Sequence, residues 1–280
     1  MVEEVRERVI RAAAYRPYEG GKRVFVIEAA EAMRDESQNA LLKTLEEPPG
    51  FVHLILLTAE PAALLETIAS RCQPVDFAPL PPEAVEAALR EDGGDAEEIA
   101  AAARLSGGDV ELARLLLSEQ GRKVRGEAEG LAAAVLDGGD AEASWRAMLK
   151  SAEEAGEEAE AAAREALEAE KEAGLKRSAR DVADAAKRAG RRRRTDLLDL
   201  GLSLTAAWFR DIAAVASGAA DVAYNRDRLA QLQSQAAGLN SAAPRRAAEQ
   251  VQDTRRRLDL NVSEELALEA LSFRLGQVLN

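Results

Sequence analysis

The chain has 280 residues, a formal net charge of −13, one cysteine (Cys72) and one histidine (His53). These counts exclude a disulfide framework and a cysteine-based zinc site, and we expect neither metal nor cofactor. A chain with so many negative charges gains little binding free energy from contact with the phosphate backbone of DNA. We therefore expect that this chain does not bind DNA by itself. Its N-terminus is a charged helical pattern rather than a signal peptide, and no stretch suits a membrane span, so we expect a cytoplasmic protein.

The first part of the chain alternates helical and strand patterns. Apolar runs predict strands buried on both faces, and their separation by helices predicts parallel pairing in an α/β sheet. Asp35 with Gln38 three places later predicts a capping box at the start of a helix. In chain order the predicted elements are a helix over 2–14, a strand over 24–27, a helix from 35 to about 45, a strand over 52–57, a helix over 62–69 and a strand over 75–77.

Prolines 79, 81 and 82 mark a predicted domain boundary, after which only helical patterns follow. Three short helices are expected over 82–91, 95–106 and 109–120, separated by glycine pairs. We therefore divide the chain into domains at 1–79, 80–121 and 122–280. Apolar stripes over 197–215 and 262–279 predict the core of the last domain.

Residues 151–194 form a charged segment, acidic at first and ending in four arginines at 191–194. Three interpretations remain open: solvated helices with charge pairs a turn apart, two halves folded against each other, or a nucleic-acid patch.

Three segments are distinctive: residues 24–31 read VFVIEAAE, residues 38–49 read QNALLKTLEEPP, and residues 64–72 read LLETIASRC. In this order and spacing they resemble the AAA+ module of bacterial clamp-loader subunits, and the delta-prime family in particular. The resemblance implies an α/β plus all-α fold: a partial AAA+ (P-loop NTPase-like) parallel-sheet domain, a small helical lid and a C-terminal helical collar.

The parts of an ATPase are missing or altered in this chain. No G-x-x-x-x-G-K-[ST] phosphate loop is present. The family's active members end the Walker B strand with aspartate and glutamate, where this chain has Glu28 and Ala29, and Val110 stands near the place of the sensor arginine. We therefore expect no ATP hydrolysis by this chain itself. Relatives have a longer N-terminal part, so a fragment, a late start codon and a genuinely shortened subunit are all open explanations.

The serine-arginine-cysteine motif at Ser70, Arg71 and Cys72 matches the family's arginine-finger motif. The resemblance implies that Arg71 reaches the γ-phosphate of ATP bound to a neighbouring subunit. The alternative is that Arg71 caps the helix over 62–69, where a cation suits the negative end of the dipole. Cys72, with no candidate base nearby in sequence, is better interpreted as a small buried thiol than as a nucleophile.

The resemblance thus implies a delta-prime-type subunit that supports ATP-dependent clamp loading during replication. Its implied partners are the tau/gamma and delta subunits, with the sliding clamp and primer–template DNA reached through the complex, and no membrane. Two alternatives are a truncated tau/gamma-type ATPase and a helical adaptor of AAA+ ancestry with another partner.

Overall fold

The computed structural model describes residues 5–172, 178–258, 260 and 262–279. Contacts divide the chain into two compact units, Met1–Ala78 and Pro79–Asn280. The further division at residues 121 and 122 stays a prediction. Within the described ranges, no helix is both long enough and apolar enough to cross a membrane.

The N-terminal unit contains strands β1 (Arg23–Ile27) and β2 (Val52–Leu56) and helices α1 (Asp35–Glu46) and α2 (Glu66–Ala69), with a π-helical turn at Arg6–Arg11 and 3-10 turns at Ala30–Ala32 and Pro61–Ala63. The helices of the second unit are α3 (Pro82–Arg90), α4 (Ala96–Leu105), α5 (Val110–Leu117), α6 (Glu119–Leu136), α7 (Ala141–Glu172), α8 (Ala179–Ala216), α9 (Leu229–Ala236), α10 (Ala242–Leu258) and α11 (Glu264–Leu279). Two more 3-10 turns lie at Ala220–Val222 and Arg226–Arg228.

Strands β1 and β2 pair in parallel, with Phe25 opposite Leu54, which confirms the predicted pairing. The prediction that both faces of these strands are buried is wrong. Val24 and Val26 each keep 54% of their surface exposed, whereas Phe25 and Leu54 pack against the buried core of this unit. The strands alternate between an inner and an outer face, and only the inner face is covered within the described residues.

The prediction of a third strand over 75–77 is also wrong. Residues 73–81 have no regular secondary structure, and Val75 and Phe77 are 70% and 89% exposed. A stretch of three residues makes few ladder hydrogen bonds, and these side chains bury too little apolar surface to offset the entropy of ordering them. In the described residues the sheet therefore has two strands.

The helices at the two ends of the N-terminal unit differ in detail from the sequence patterns. The first helical segment includes a π-helical turn, and it buries Val5, Val9 and Ala13 along one side. The helix expected over 62–69 is broken: a 3-10 turn is followed by extended Leu64, and α2 then begins at Glu66. The break allows Leu64 and Leu65 to pack against the same core as Ile68, which is fully buried.

The predicted helices of the second unit are present, and its core is the larger of the two. The predicted apolar stripes of α8 and α11 both contribute to it. Its largest fully buried side chains include Trp145, Trp208, Phe209, Leu89 and Leu131.

The charged segment folds back on itself, as one of its three interpretations predicted. Helices α7 and α8 run antiparallel, and their backbones come close together at Gly156 and Gly190. An added Cβ on Gly156 would lie 2.9 Å from the carbonyl oxygen of Gly190. A side-chain contact reinforces the pairing, since Arg194 of α8 forms an ion pair with Glu153 of α7; the same guanidinium also pairs with Glu264 of α11.

A buried ion pair joins α6 to the loop after α8. The Arg125 guanidinium donates to both carboxylate oxygens of Asp227, at 2.8 and 2.7 Å, and to the side-chain oxygen of Asn225. Asp211, which is fully buried, accepts hydrogen bonds from the backbone N–H groups of Tyr224 and Asn225. Polar contacts thus fix this loop against two helices, as buried charges require.

Candidate functional site

The side chain that hydrogen-bonds to the backbone near the start of α1 is Gln38 and not Asp35, the predicted N-cap residue. Asp35 is the first helical residue, and the N-cap position belongs to Arg34, whose side chain makes no capping hydrogen bond. The predicted capping box is therefore wrong. Gln38 is instead buried: its Nε2 donates to the Met33 carbonyl at 3.0 Å, and its Oε1 accepts from the Leu65 N–H at 2.8 Å.

Gln38 therefore connects two parts of the chain that lie 27 residues apart. Leu65 is the N-cap residue of α2, and its N–H is one of the groups that a helix start cannot satisfy internally. Satisfying it from α1 fixes where α2 begins. The serine-arginine-cysteine motif follows α2 immediately, so Gln38 helps to position that motif relative to α1.

The Arg71 guanidinium is in contact with two elements. Its Nε and Nη2 donate to Glu46 Oε1 at 3.0 and 2.5 Å, and its Nη1 donates to the Thr67 carbonyl at 3.0 Å. The side chain is 34% exposed. The Thr67 contact is the interaction that helix capping by Arg71 implies, whereas the Glu46 contact was not foreseen from the sequence.

The two neighbours of Arg71 have structural contacts of their own. The Ser70 hydroxyl donates to the Thr67 carbonyl at 3.3 Å, at the end of α2. Cys72 is half-buried and packs against the N-terminal core. Burial raises the pKa of its thiol, which favours the uncharged form. These properties fit a packed thiol rather than an activated nucleophile.

Glu28 and Ala29, at the altered Walker B position, directly follow β1 and are both exposed. Ala29 has φ 48° and ψ 53°, the left-handed conformation that costs a residue with a Cβ about 1–2 kcal/mol. Nearby, the backbone N–H of Glu31 and the Thr58 hydroxyl lower the pKa of the Glu31 carboxyl by hydrogen bonding. Among the described residues, no three acidic, histidine or cysteine side chains converge to hold a metal ion.

The predicted site residues thus form two groups. Glu28 and Ala29 lie at the carboxyl end of β1, whereas Ser70, Arg71 and Cys72 lie at the end of α2. The structure adds Gln38 and Glu46 to the second group. Both belong to the QNALLKTLEEPP segment, so the two most distinctive sequence motifs are in contact with each other.

Comparison with known proteins gives a match over the same region. The family model described as "DNA polymerase III, delta subunit" matches residues 1–81. The chain is 44% identical over 73 residues to DNA polymerase III subunit delta' of Bacillus subtilis, covering 26% of this chain and 22% of the relative. It is 43% identical over 109 residues to the delta' subunit of Escherichia coli, covering 38% of this chain and 32% of that one.

A related type of subunit also matches. The tau/gamma subunit of Haemophilus influenzae is 44% identical over 71 residues, which are 25% of this chain and 10% of that one. A solved structure of the Bacillus subtilis DNA clamp loader delta protein aligns over 97% of this chain and 82% of its own, with 13% identity and a TM-score of 0.29, too low to support any inference.

The matched segments span only about a fifth to a third of the delta' relatives, 22% and 32% in the two cases above. The family model spans the whole N-terminal unit, and its range includes Gln38, Glu46 and Arg71. Over residues 1–81, the chain is therefore similar to the delta and delta' subunits of DNA polymerase III.

Proposed function

We propose that this chain acts as a delta-prime-type subunit of the DNA polymerase III clamp loader. It supports ATP-dependent loading of the sliding clamp onto primed DNA and works in the cytoplasm. Its partners are the tau/gamma and delta subunits, and it meets the clamp and the primer–template DNA through the complex. In this proposal residues 1–79 form a partial AAA+ domain, residues 80–121 the lid and residues 122–280 the oligomerising collar.

The observation that carries this proposal is the position of Arg71. The residue lies in a serine-arginine-cysteine motif, within the segment matched by the family model. Its guanidinium follows a helix end and keeps about a third of its surface exposed. A planar guanidinium suits a phosphate group, because it can donate two parallel hydrogen bonds. We assign Arg71 the role of an arginine finger that acts on ATP bound to an adjacent subunit.

The same chain hydrolyses no ATP in this proposal. A water-polarising carboxylate is absent at Ala29, and Glu28 stands where active members hold aspartate. Ala29 has no group that could orient an attacking water. The subunit is therefore a structural and regulatory member of the assembly, and its contribution to catalysis is made across the subunit boundary.

The competing assignment for Arg71 is helix capping, which its contact with the Thr67 carbonyl favours. The two roles separate in a reconstituted loader made from this chain with tau/gamma and delta subunits. Arg71→Ala should lower DNA-stimulated ATP hydrolysis while assembly, measured by gel filtration, is preserved. In GTPases an arginine finger is worth about 10³–10⁵ in kcat, so a loss of at least tenfold is expected.

Two further variants make this test specific. Arg71→Lys keeps the charge but loses the forked geometry, so it should restore little activity. Arg11→Ala removes another arginine of the same unit, one that pairs only with the exposed Glu7 among the described contacts, and should leave activity unchanged. Full ATPase activity in an assembled Arg71→Ala loader would assign Arg71 to helix capping.

The similarity to tau/gamma subunits supports a second candidate, a shortened ATPase subunit of the same loader. The alanine at position 29 opposes it, because that role requires hydrolysis by the chain itself. Turnover by the isolated chain decides between the two. We expect no ATP hydrolysis above background; turnover that survives Arg71→Ala would favour the ATPase.

A further inference from the structure

The Arg71 side chain is held along one edge by Glu46, the last residue of α1. The Nε and Nη2 groups both donate to the same carboxylate oxygen, at 3.0 and 2.5 Å. The two residues are 25 positions apart in sequence, so the contact fixes the guanidinium to a helix other than the one it follows. The Glu46 carboxylate therefore helps to set the direction of this side chain.

Part of the Arg71 guanidinium is left available to donate hydrogen bonds to a ligand. The group carries five N–H bonds. Two donate to Glu46, and one on Nη1 donates to the Thr67 carbonyl. One N–H remains on Nη2 and one on Nη1, where the Ser70 hydroxyl lies 3.5 Å away, at the limit of a hydrogen bond. Each Nη nitrogen therefore keeps one N–H that Glu46 and Thr67 do not use, and two such nitrogens can donate together to one phosphate.

The Glu46–Arg71 pair contributes more to orientation than to stability. Both side chains are partly exposed, 49% for Glu46 and 34% for Arg71, and exposed ion pairs add little to folding free energy. A free arginine side chain, however, has many rotamers, and it would lose them on reaching a ligand. A guanidinium already held along its Nε edge loses fewer, so the cost of placing its forked end on an anion is lower.

We propose that Glu46 is a positioning residue for Arg71. It holds the Nε edge so that the two remaining N–H groups meet the γ-phosphate of ATP on the adjacent subunit. The inference rests on the proposed function of Arg71 and adds to it the residue that prepares the finger for its ligand. Glu46 itself touches no substrate in this scheme.

The contact can be tested first in the isolated full chain. The Nε–H resonance of Arg71, identified by its absence in Arg71→Lys, should shift and exchange faster with water in Glu46→Gln. Glu47→Gln is the matched control: it makes the same change one residue away, and the described residues give the Glu47 side chain no hydrogen bond or ion pair. An Arg71 signal that is unchanged in Glu46→Gln would overturn the inference without touching the proposed function.

The second test uses the reconstituted loader. Misplacement by about 1 Å can cost around 100-fold in rate, so we expect Glu46→Gln to lower kcat for stimulated ATP hydrolysis by roughly ten- to a hundredfold. KM should change less than about twofold, since the arginine acts in the transition state rather than in ground-state binding. Glu47→Gln should match the wild type.

A double mutant distinguishes a failure of the positioning role of Glu46 from a failure of the proposed function of Arg71. If Glu46 acts through Arg71, then Glu46→Gln added to Arg71→Ala should cause no further loss. A fully additive loss, an unchanged kcat, or a raised kcat in Glu46→Gln would each overturn the positioning role while an impaired Arg71→Ala keeps the proposed function. An Arg71→Ala loader with full activity would refute both.

Discussion

The two units of this chain differ in where their apolar residues lie. In the N-terminal unit a small core forms around Leu41 and Ile68, and one face of its sheet is left open at Val24 and Val26. In the helical unit a much larger core surrounds Trp208 and includes side chains from all the helices from α3 to α11. The unit with the recognisable motifs is thus the less well buried one. Most of the buried apolar surface, which stabilises a fold, therefore lies outside the segments that carry the motifs.

The largest expected effect is on the buried ion pair of the helical unit. Arg125→Ala removes both short hydrogen bonds to the Asp227 carboxylate, whose side chain is only 4% exposed, and leaves it the longer 3.4 Å contact with Arg228. Removing one member of such a pair costs about 3–5 kcal/mol. Unfolding in urea, followed by circular dichroism, measures the loss. Arg122→Ala, which breaks an exposed pair with Glu98, should cost at most about 1 kcal/mol. Equal losses for the two variants would show that the buried network contributes nothing special.

A smaller effect is expected where α7 and α8 cross. Gly156→Ala places a methyl group 2.9 Å from a backbone oxygen, so the helices must separate, at a cost of about 1–3 kcal/mol.

Gly130→Ala is the matched control for that change. An added Cβ at Gly130 in α6 meets no atom within 4 Å, so alanine should stabilise the helix by about 0.5–1 kcal/mol. The two variants should therefore shift the unfolding midpoint in opposite directions. A shift of the same sign would contradict the close approach of α7 and α8.

The smallest effect concerns the open face of the sheet. Val26 is 54% exposed, so Val26→Thr should change the free energy of unfolding by no more than about 0.5 kcal/mol. Leu41→Ala, in the core of the same unit, should cost about 2–5 kcal/mol. Thermal unfolding of both variants makes the comparison. If Val26→Thr were as damaging as Leu41→Ala, the face would be covered and the contrast between the two units would fail.

Part of this architecture could be predicted because it depends on local patterns. Two apolar runs with a helix between them identified β1 and β2 and their parallel pairing. A similar pattern at Val75 and Phe77 failed, since a run of three residues does not say whether a pairing partner exists. The glycines at 156 and 190 could have supported the fold-back of the charged segment, because helices that cross closely need small residues at equivalent positions.

The site was harder to predict because its contacts join distant segments. Asp35 and Gln38 have the spacing of a capping box, and spacing alone cannot show that Gln38 satisfies Leu65 instead. The pairing of Glu46 with Arg71 likewise depends on how α1 and α2 pack. Family resemblance of the motifs identified Arg71 as a candidate site residue, whereas the residues that contact its side chain are visible only in the folded structure.

The open sheet also bears on how the protein behaves in concentrated solution. Strand edges that have no partner within the described residues, together with exposed valines, attract other copies of the chain. A net charge of −13 makes those copies repel one another. Salt weakens only the repulsion, because the Debye length falls to about 8 Å at physiological ionic strength. Self-association should therefore increase with added salt, and low-salt buffers should keep the isolated chain dispersed.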